Sequence, residues 1–590
     1  MQKPVLAALL ALFTIAYLVP LGIRPLYETD EFRYAEIPRE MVAGGDWVVP
    51  RLDGMRYFEK PALGYWMTAS SLMLFGQTPF GVRLPVAISA GITALAIFLL
   101  VRRFIGLGTA AVVAGVLLTS SMFYVLGCAA TLDMPLTMFL TLAAVLFYFA
   151  FESEDSKRKA LYLLLFGVAV GCAFLTKGFL VFAVLLAAGA PFMLWERKTG
   201  KLLRLAWLPL LTMALVALPW CVMIHRREPD FWPQFFWEQH WRRFWGGGHA
   251  QHSEPRWFFI PWIIGGVLPW TALAPAAIIG LIMNWPPLAS SYSCTSRAVV
   301  RAANVLAKGK LKDPLVRFAL CWLVFPFLFF SMCSGKLPTY ILPCLPPLAL
   351  LLGVGLSRYF DQGRHKAFVA GASAVIFVLD AAIVAIIAVS VTGGGILAGS
   401  LAAGRQFLYQ PNEHWKWLLL ISALVVWAAL WFWAVQPRVA VNRLALLCAG
   451  PCLFMAAGNC VVPQAVQDLC APEAFLARDA RRVEPGAPLL ARAGLTHAVA
   501  WHYKRTDVIL FDSKGEFEYG LIHSGEKNRE VELDDFAPFV AQYPPSALVT
   551  AIMEKEYYLA HKAQLPEAAY LDENAGFVFA QYRGSRRSEE

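Results

Sequence analysis

The sequence predicts a polytopic α-helical membrane protein of about thirteen transmembrane helices, with a small α/β domain at the C-terminus. Three observations favour this fold class. Hydrophobic residues make up 58% of the chain and charged residues only 16%, whereas soluble domains contain about 45–50% apolar and about 25% charged residues. Thirteen apolar stretches approach the length of about 20 residues that a spanning helix needs. Residues 461–590 are polar and show mixed helix and strand periodicity.

The first apolar stretch begins at Val5 and is not followed by an A-x-A-type cleavage site, so we expect a retained span rather than a signal peptide. The predicted spans are residues 5–23, 84–101, 108–126, 134–151, 160–176, 178–195, 203–224, 258–283, 315–333, 338–357, 366–391, 415–435 and 440–460.

Charge predicts the orientation of these spans. With the N-terminus inside the cell, every short loop on that side carries lysine and arginine, from Arg102–Arg103 to Arg438 with Arg443, as the positive-inside rule requires. Thirteen spans then place the C-terminus outside. The chain divides into a transmembrane domain, residues 1–460, and a C-terminal domain, residues 461–590. Two large outer loops, residues 24–83 and 225–257, interrupt the first domain.

The C-terminal domain contains both kinds of secondary-structure pattern. Alternating runs at Thr506–Phe511 and Phe577–Tyr582 predict strands, and Glu473–Arg481 predicts a helix. Cys460 and Cys470 could form a disulfide only in an oxidising compartment. The chain has no C-x-x-C motif, so the cysteines indicate neither a zinc site nor a redox site.

The first outer loop predicts two helices that do not cross the membrane. Polar and apolar residues from Asp30 to Met41 alternate at helical spacing, which indicates an amphipathic helix on the membrane surface, bent at Pro38. Residues 62–76 are apolar but too short to span. Asp30 could equally stabilise the N-terminus of a helix by interacting with the helix dipole, and Glu59 with Lys60 could be a solvated ion pair.

Three charged residues interrupt apolar sequence at the outer ends of predicted spans: Asp133, Lys177 and Lys336. Charges beside apolar spans cost free energy and are candidates for function. Asp133 could instead cap a helix that has a proline just inside it. Each lysine could instead extend its ammonium group to the lipid headgroups.

The second outer loop is dense in aromatic residues and contains His240, Arg243 and His252. The two histidines could bind a metal ion only together with a carboxylate from elsewhere in the chain. The aromatic residues are equally typical of an interfacial belt.

The predicted topology places these candidates on one face of the membrane. Carboxylates and several cations at an outer membrane surface suit an anionic substrate carried on a lipid, because lysine and arginine bind phosphate oxygens and a carboxylate can act as a base or stabilise an oxocarbenium-like sugar. The chain contains no Walker motif or Rossmann fingerprint, and we expect no nucleic-acid partner.

The segment Tyr27–Tyr65, with its Asp30-Glu31-x-Arg33-Tyr34 and Tyr57-Phe58-Glu59-Lys60-Pro61 motifs, resembles the bacterial lipid A aminoarabinose transferases. These enzymes are C-type glycosyltransferases, with the protein O-mannosyltransferases as relatives. The resemblance continues through Leu175–Gly178, Asp230–Phe244, Ala250–His252, Gly335–Tyr340 and, in the tail, Ala498–Asp507 and Gly515–Gly520. Pro38 departs from the family pattern.

The resemblance implies the C-type glycosyltransferase fold and transfer of 4-amino-4-deoxy-L-arabinose from undecaprenyl phosphate to a lipid A phosphate, with inversion. It also implies a bacterial inner-membrane location, a periplasmic active site and C-terminus, and a role in resistance to cationic peptides such as polymyxin. By resemblance, Asp30 and Asp133 are catalytic, and Glu59 with His240 could hold a divalent metal ion. The residues expected to bind substrate are Arg33, Tyr34, Lys60, Lys177, Arg243, His252, Lys336 and Tyr340.

Two other functions remain open on the sequence. A hydroxyl acceptor, as in protein mannosylation, would need a true base, whereas a lipid A phosphate is already largely anionic near neutral pH. A transporter for a lipid-linked anion would predict charges at mid-membrane depth and inverted repeats. The charges here lie at the ends of spans instead.

Overall fold

The computed structural model describes residues 2–197, 200, 204–242, 254–283, 313–392, 409–436, 443–522 and 528–585. Apolar helices form a multi-pass membrane bundle, and the C-terminal tail folds into a mixed α/β domain that packs against one end of it. The described parts of the two outer loops lie between the bundle and this domain.

Nine helices within the described ranges are long and apolar enough to cross a membrane, and all nine coincide with predicted spans. Two more predicted spans are bent helix pairs, Leu107–Leu118 with Ser121–Gly127 (67°) and Phe259–Gly266 with Trp270–Ile282 (89°). The nine are Pro4–Gly22, Pro79–Phe104, Asp133–Glu152, Ser156–Lys177, Trp207–Arg227, Pro314–Met332, Pro338–Asp361, Lys366–Ala388 and His414–Val435.

The other two predicted spans are shorter apolar helices, Leu180–Glu196 and Arg443–Gly458, of 17 and 16 residues. At 1.5 Å per residue each is about 25 Å long, slightly less than the hydrocarbon core of a bilayer. Helix Leu180–Glu196 begins just after Lys177 and reaches the C-terminal end of helix Asp133–Glu152. There the ring centres of Phe192 and Phe151 lie 4.7 Å apart. The thirteen predicted segments are therefore all helical, and a count of thirteen crossings stays a prediction.

Small residues allow the helices of the bundle to approach closely. A Cβ atom on Gly280 would lie 2.0 Å from the carbonyl oxygen of Gly355, and one on Gly355 would lie 2.3 Å from that of Ala277. Larger side chains at these positions would force the two helices apart, so their packing depends on backbone contact.

A buried arginine fixes the point where the first outer loop leaves the bundle. Arg83 is 1% exposed and donates to both carboxylate oxygens of Glu31 at 2.7 Å. Burial favours the neutral acid, but the guanidinium groups of Arg83 and Arg24 hold the pKa of Glu31 at about 2. The start of the loop is thus tied to the bundle by a charged pair that stays ionised.

Strands β1 (Arg51–Leu52) and β2 (Met55–Arg56) form a hairpin in the first outer loop. The strands of the C-terminal domain are β3 (Leu489–Ala491), β4 (Ile509–Phe511), β5 (Glu530–Val531), β6 (Leu548–Glu554), β7 (Tyr570–Glu573) and β8 (Phe577–Arg583). They form a six-stranded sheet of order β5-β4-β3-β6-β8-β7, in which β3, β4, β5 and β6 are parallel and β8 pairs antiparallel with both β6 and β7. The helices of this domain are Gln464–Cys470, Glu473–Arg478, Ala493–Tyr503, Glu518–Leu521, Leu533–Ala541 and Lys555–His561.

The α/β prediction for the tail is confirmed. The two predicted strands correspond to β4 and β8, and the predicted helix to Glu473–Arg478. Cys460 and Cys470 are both free thiols in the structure.

The two predicted helices of the first outer loop are present as Asp30–Gly44 and Leu63–Phe75. The first continues through Pro38 without a break. It does not lie with one face open on the membrane surface, as the sequence indicated: Ile37 is 0% and Arg39 is 4% exposed. The C-terminal domain covers the polar face of this helix, which hydropathy alone could not reveal.

The described part of the second outer loop joins the same assembly. Arg56 in the first loop forms a 2.7 Å ion pair with Glu228, and the hydroxyl of Tyr519 in the C-terminal domain donates to Asp230 at 2.5 Å. The two outer loops and the tail therefore lie on one side of the bundle. Whether that side is the periplasmic one stays a prediction.

Candidate functional site

The first turn of helix Asp30–Gly44 presents three of the predicted site residues. Asp30 is the most open of them, with its side chain 62% exposed. Arg33 lies one turn further on and contacts Asp30 at 3.0 Å, and its guanidinium carbon lies 5.8 Å from the ring centre of Tyr34. An exposed carboxylate next to a fixed guanidinium can interact with a charged substrate.

The C-terminal domain supplies a second carboxylate to this group. Glu516 contacts Nε of Arg33 at 2.6 Å and accepts a hydrogen bond from the hydroxyl of Tyr57 at 3.0 Å. Its other oxygen lies 2.5 Å from Nε2 of the fully buried His497. Although burial acts in the opposite direction, His497, Arg33 and Tyr57 lower the pKa of Glu516 to about 2.

The sequence did not single out Glu516 or His497. The only signal was that Glu516 lies in Gly515–Gly520, one of the tail segments that carry the family resemblance. Nothing in the spacing shows that this segment reaches Arg33, because the contact depends on how the tail folds back over the first loop.

A second group of predicted residues lies where helices Asp133–Glu152 and Ser156–Lys177 meet the first loop. Nζ of Lys177 forms a 2.5 Å ion pair with Asp133 and lies 5.3 Å from the ring centre of Tyr340. Both side chains of the ion pair are largely buried. The structure therefore brings Asp133, Lys177 and Tyr340 together, and their roles in catalysis and substrate binding stay predictions.

Tyr34 connects the two groups. Its ring stacks on Tyr65 with the ring centres 6.2 Å apart, and its hydroxyl interacts electrostatically with Asp30, Asp133 and Glu59. Burial raises the pKa of Tyr34 well above its usual value. Asp30, Glu59 and Asp133, which lie far apart in the sequence, are thus neighbours of one neutral phenol.

Of the two residues predicted to bind a metal ion, only Glu59 has its side chain among the described residues. Glu59 contacts its neighbour Lys60, with Nζ 3.7 Å from the carboxylate, and Lys60 also donates to the carbonyl oxygen of Glu59. The described part of the chain contains no group of three or more His, Cys, Asp or Glu side chains that could hold a metal ion. The side chain of His240 and all of Arg243 and His252 lie outside the described residues. A divalent ion at Glu59 and His240 stays a prediction.

Lys336 occupies a different environment from Lys177. It is 3% exposed, and its ammonium group donates to the carbonyl oxygens of Glu254 at 2.7 Å and Cys333 at 2.5 Å. Burial lowers its pKa. These contacts connect the second outer loop to the helix that ends at Met332, and a phosphate contact for Lys336 stays a prediction.

Comparisons with known proteins were made for the whole chain. A family model described as dolichyl-phosphate-mannose-protein mannosyltransferase matches residues 5–235, and one described as arabinosyl transferase ArnT, C-terminal domain, matches residues 468–581. The undecaprenyl phosphate-alpha-4-amino-4-deoxy-L-arabinose arabinosyl transferases of Erwinia tasmaniensis and Shewanella sediminis are each 36% identical to this chain. Their alignments cover 96% and 89% of this chain, and the same shares of the two relatives.

The fold also matches solved structures along its whole length. The crystal structure of ArnT from Cupriavidus metallidurans bound to undecaprenyl phosphate has a TM-score of 0.78, with 98% of both chains covered and 23% sequence identity. The apo structure of the same protein has a TM-score of 0.77. Both the helical bundle and the C-terminal α/β domain therefore belong to one known architecture.

Proposed function

The chain belongs to the family of undecaprenyl phosphate-alpha-4-amino-4-deoxy-L-arabinose arabinosyl transferases, and on that premise we propose that it transfers this aminosugar from undecaprenyl phosphate to a phosphate of lipid A. The observation that carries the proposal is the cluster of Asp30, Arg33, Tyr34, Asp133 and Lys177. It combines an exposed carboxylate with a lysine and an arginine, which suits a sugar held between two phosphates.

The reaction exchanges one bond for another at the anomeric carbon of the sugar. A lipid A phosphate oxygen forms the new bond to this carbon, the bond to the carrier phosphate oxygen breaks, and undecaprenyl phosphate leaves. A single displacement of this kind inverts the configuration. The acceptor phosphate is already ionised near neutral pH, since the second pKa of a phosphate monoester is about 6, so this step needs no strong base.

Asp30 therefore acts mainly through its charge. Positive charge develops on the sugar ring as the bond to the carrier lengthens, and a carboxylate fixed next to the ring stabilises that charge. Arg33, held by Asp30 and Glu516, keeps the carboxylate oriented. We assign Asp133 to a supporting role, because its ion pair holds Lys177 in place.

Lys177, and with it Lys60 and Arg243, would bind the phosphate groups. An ammonium group and a phosphate oxygen form a charge-assisted hydrogen bond, roughly twice as strong as a neutral one. Lys177 is suited to this because Asp133 and the ring of Tyr340 hold its ammonium group at the end of its helix.

The decisive test uses purified protein, undecaprenyl phosphate-linked aminoarabinose and lipid A, with mass spectrometry of the lipid A. We expect a mass increase equal to one aminoarabinose residue. Lipid A from cells with and without the gene should differ in the same way. Unmodified lipid A in both experiments would contradict the proposal.

A mannosyltransferase acting on proteins is the second candidate, because the mannosyltransferase family model matches residues 5–235. That match ends before the C-terminal domain, where the arabinosyl transferase model matches instead. The same assay with dolichyl phosphate-mannose and an acceptor peptide would separate the two, and we expect no transfer.

We also propose that the site and the C-terminal domain face the periplasm across the bacterial inner membrane. The basic clusters on the opposite loops support this orientation. Alkaline phosphatase fused after the C-terminus should be active, and a fusion at Arg301 should be inactive. An active fusion at Arg301 would reverse the orientation.

A further inference from the structure

Tyr65 carries a buried hydroxyl group that the reaction outlined above does not use. It is the third residue of helix Leu63–Phe75 and is 1% exposed. Among the described residues its hydroxyl has no hydrogen-bond partner. A buried hydroxyl without a partner costs free energy, so its presence next to a binding site suggests a partner that arrives with the substrate.

The ring that carries this hydroxyl packs against the candidate site. The Tyr65 ring stacks on Tyr34 with the ring centres 6.2 Å apart and an interplanar angle of 26°. The groups that act electrostatically on the Tyr65 hydroxyl are Tyr34, Glu59, Arg33 and Glu516. It is therefore within electrostatic range of both the first-loop helix and the carboxylate that the C-terminal domain contributes.

The surrounding charges indicate what kind of group the hydroxyl meets. Burial, followed by Tyr34 and Glu59, raises the pKa of Tyr65, so the phenol stays neutral and can donate a hydrogen bond or accept one. Two carboxylates lie near it, and the only cation among these neighbours, Arg33, is already paired with Asp30 and Glu516. This environment disfavours a phosphate and suits the hydroxyl and amino groups of a sugar.

We propose that Tyr65 binds the transferred aminosugar through a hydrogen bond between its phenolic hydroxyl and a hydroxyl or amino substituent of the sugar ring. The stacked ring of Tyr34 holds the phenol in place. This inference rests on the proposed function and adds to it a residue that contacts the sugar and contributes to donor specificity.

The test compares Tyr65→Phe with Tyr582→Phe. Phenylalanine keeps the ring and removes only the hydroxyl. Tyr582 is a matched control, because it is also 1% exposed and its hydroxyl also has no partner among the described residues, but it lies in the C-terminal domain against Phe536. Both variants should melt at or above the wild-type temperature, since each loses an unpaired buried hydroxyl.

Only Tyr65→Phe should affect transfer. We expect kcat/KM for the donor to fall about tenfold, the effect of losing one hydrogen bond to an uncharged group. Inhibition by undecaprenyl phosphate without a sugar should be unchanged in both variants. Loss of a substrate contact should lower activity and leave stability undiminished. Loss of a hydrogen bond within the protein would lower stability as well.

Three results would overturn this assignment. Wild-type kcat/KM in Tyr65→Phe would show that the hydroxyl does not contact the sugar. Weaker inhibition by undecaprenyl phosphate would assign it to the phosphate instead. A melting temperature below that of Tyr582→Phe would mean that the hydroxyl has a partner within the protein. If the wild type transfers no aminoarabinose in the same assay, the proposed function fails first, and the Tyr65 assignment falls with it.

Discussion

The two ends of helix Asp30–Gly44 use the same residue types in opposite ways. At its start, Asp30 is exposed and Arg33 reaches across to Glu516 at the site. Two turns later, Glu36 is 0% and Arg39 is 4% exposed, and they pair with each other under the C-terminal domain. An acid and an arginine three residues apart therefore lie at the candidate site in one case and at the contact with the C-terminal domain in the other.

The docking end continues into the hairpin between β1 and β2. Asp53, at the tip, is fully buried and contacts Nη2 of Arg529 at 2.6 Å, and the backbone N–H of Gly54 donates to Glu40 at 2.9 Å. A Cβ atom on Gly54 would lie 2.6 Å from the carbonyl oxygen of Thr506, and its φ of +74° also favours glycine. Along this helix the same residue types are therefore exposed at the candidate site, as at Asp30, and buried where the domains dock, as at Glu36 and Arg39.

The largest effect that we expect is a loss of stability from a substitution at the docking end. Arg529→Met leaves Asp53 buried without its partner, which should cost about 3–5 kcal/mol of stability, measured as thermal or denaturant unfolding of the C-terminal domain in detergent. Lys555→Met in the same domain removes an ion pair with the more exposed Glu573 and should cost at most about 1 kcal/mol. Equal losses in the two variants would contradict the distinction drawn here.

Asp30→Asn should have the next largest effect, on activity alone. Asparagine keeps the size of the side chain and can still cap a helix, but it removes the charge, so transfer should fall about 10²–10³-fold, or about 2.7–4 kcal/mol. Expression and unfolding temperature should be unchanged, because Asp30 is largely exposed. Asp46→Asn, in the same loop, is the control and should keep full activity.

Transfer by Asp30→Asn within about threefold of wild type, or less than about 0.7 kcal/mol of barrier, would refute its role. Asp133 would then become the leading candidate for the central carboxylate.

Lys177 and Lys336, at the ends of two spans, offer a second comparison between a charge at the candidate site and a charge that holds segments of the protein together. Lys177→Met should weaken binding of undecaprenyl phosphate by about 10–100-fold, since a hydrogen bond to a charged group contributes about 1.5–3 kcal/mol. Lys336→Met should mainly lower the unfolding temperature, because the ammonium group of Lys336 donates to two carbonyl oxygens. A large loss of lipid binding in Lys336→Met would instead support the phosphate contact that the sequence predicts.

A further effect at the docking end is a pH dependence of stability. Burial, followed by the charge of Glu36, raises the pKa of Glu40 to about 8. The folded chain therefore keeps a proton that the unfolded chain loses above about pH 5. Stability should fall as the pH rises from about 5 to about 8 and then level off.

Glu40→Gln cannot lose this proton, and its amide oxygen can still accept from Gly54. Its unfolding temperature should vary less between pH 5 and 8 than that of the wild type. Identical pH profiles for the two proteins would show that Glu40 does not titrate in this range.

The sequence predicted the features that are determined by residues close together in the chain. Hydropathy within windows of about 20 residues located, among the described residues, the nine spanning-length helices, the two bent helix pairs and the two shorter apolar helices, and alternation located β4 and β8. The resemblance, together with the position of charges at span ends, pointed to Asp30, Asp133 and Lys177. In the structure Asp30 and Asp133 both act electrostatically on Tyr34, and Lys177 pairs with Asp133.

The sequence could not predict contacts between distant segments. The ion pair of Arg33 with Glu516 joins two residues that are separated by nearly the whole chain, and the carbonyl contacts of Lys336 require the second loop to fold back on it. The amphipathic pattern of Asp30–Met41 predicts a helix on the membrane surface, because the sequence of a polar helix face is the same whether water or another domain covers it. In each case the missing information is which segment of the chain packs against which, and a local sequence pattern does not contain it.

The contact between Arg33 and Glu516 also orders events in time. Arg33 leaves the ribosome near the beginning of synthesis and Glu516 near its end, and domains generally fold as units during synthesis, the N-terminal ones first. The first loop is therefore made while the candidate site still lacks this carboxylate, and the arrangement is complete only once the tail has been made and has folded against that loop. A nascent or truncated chain without Glu516 would sit in the membrane unfinished, so the last segment to be made also determines when the protein becomes competent.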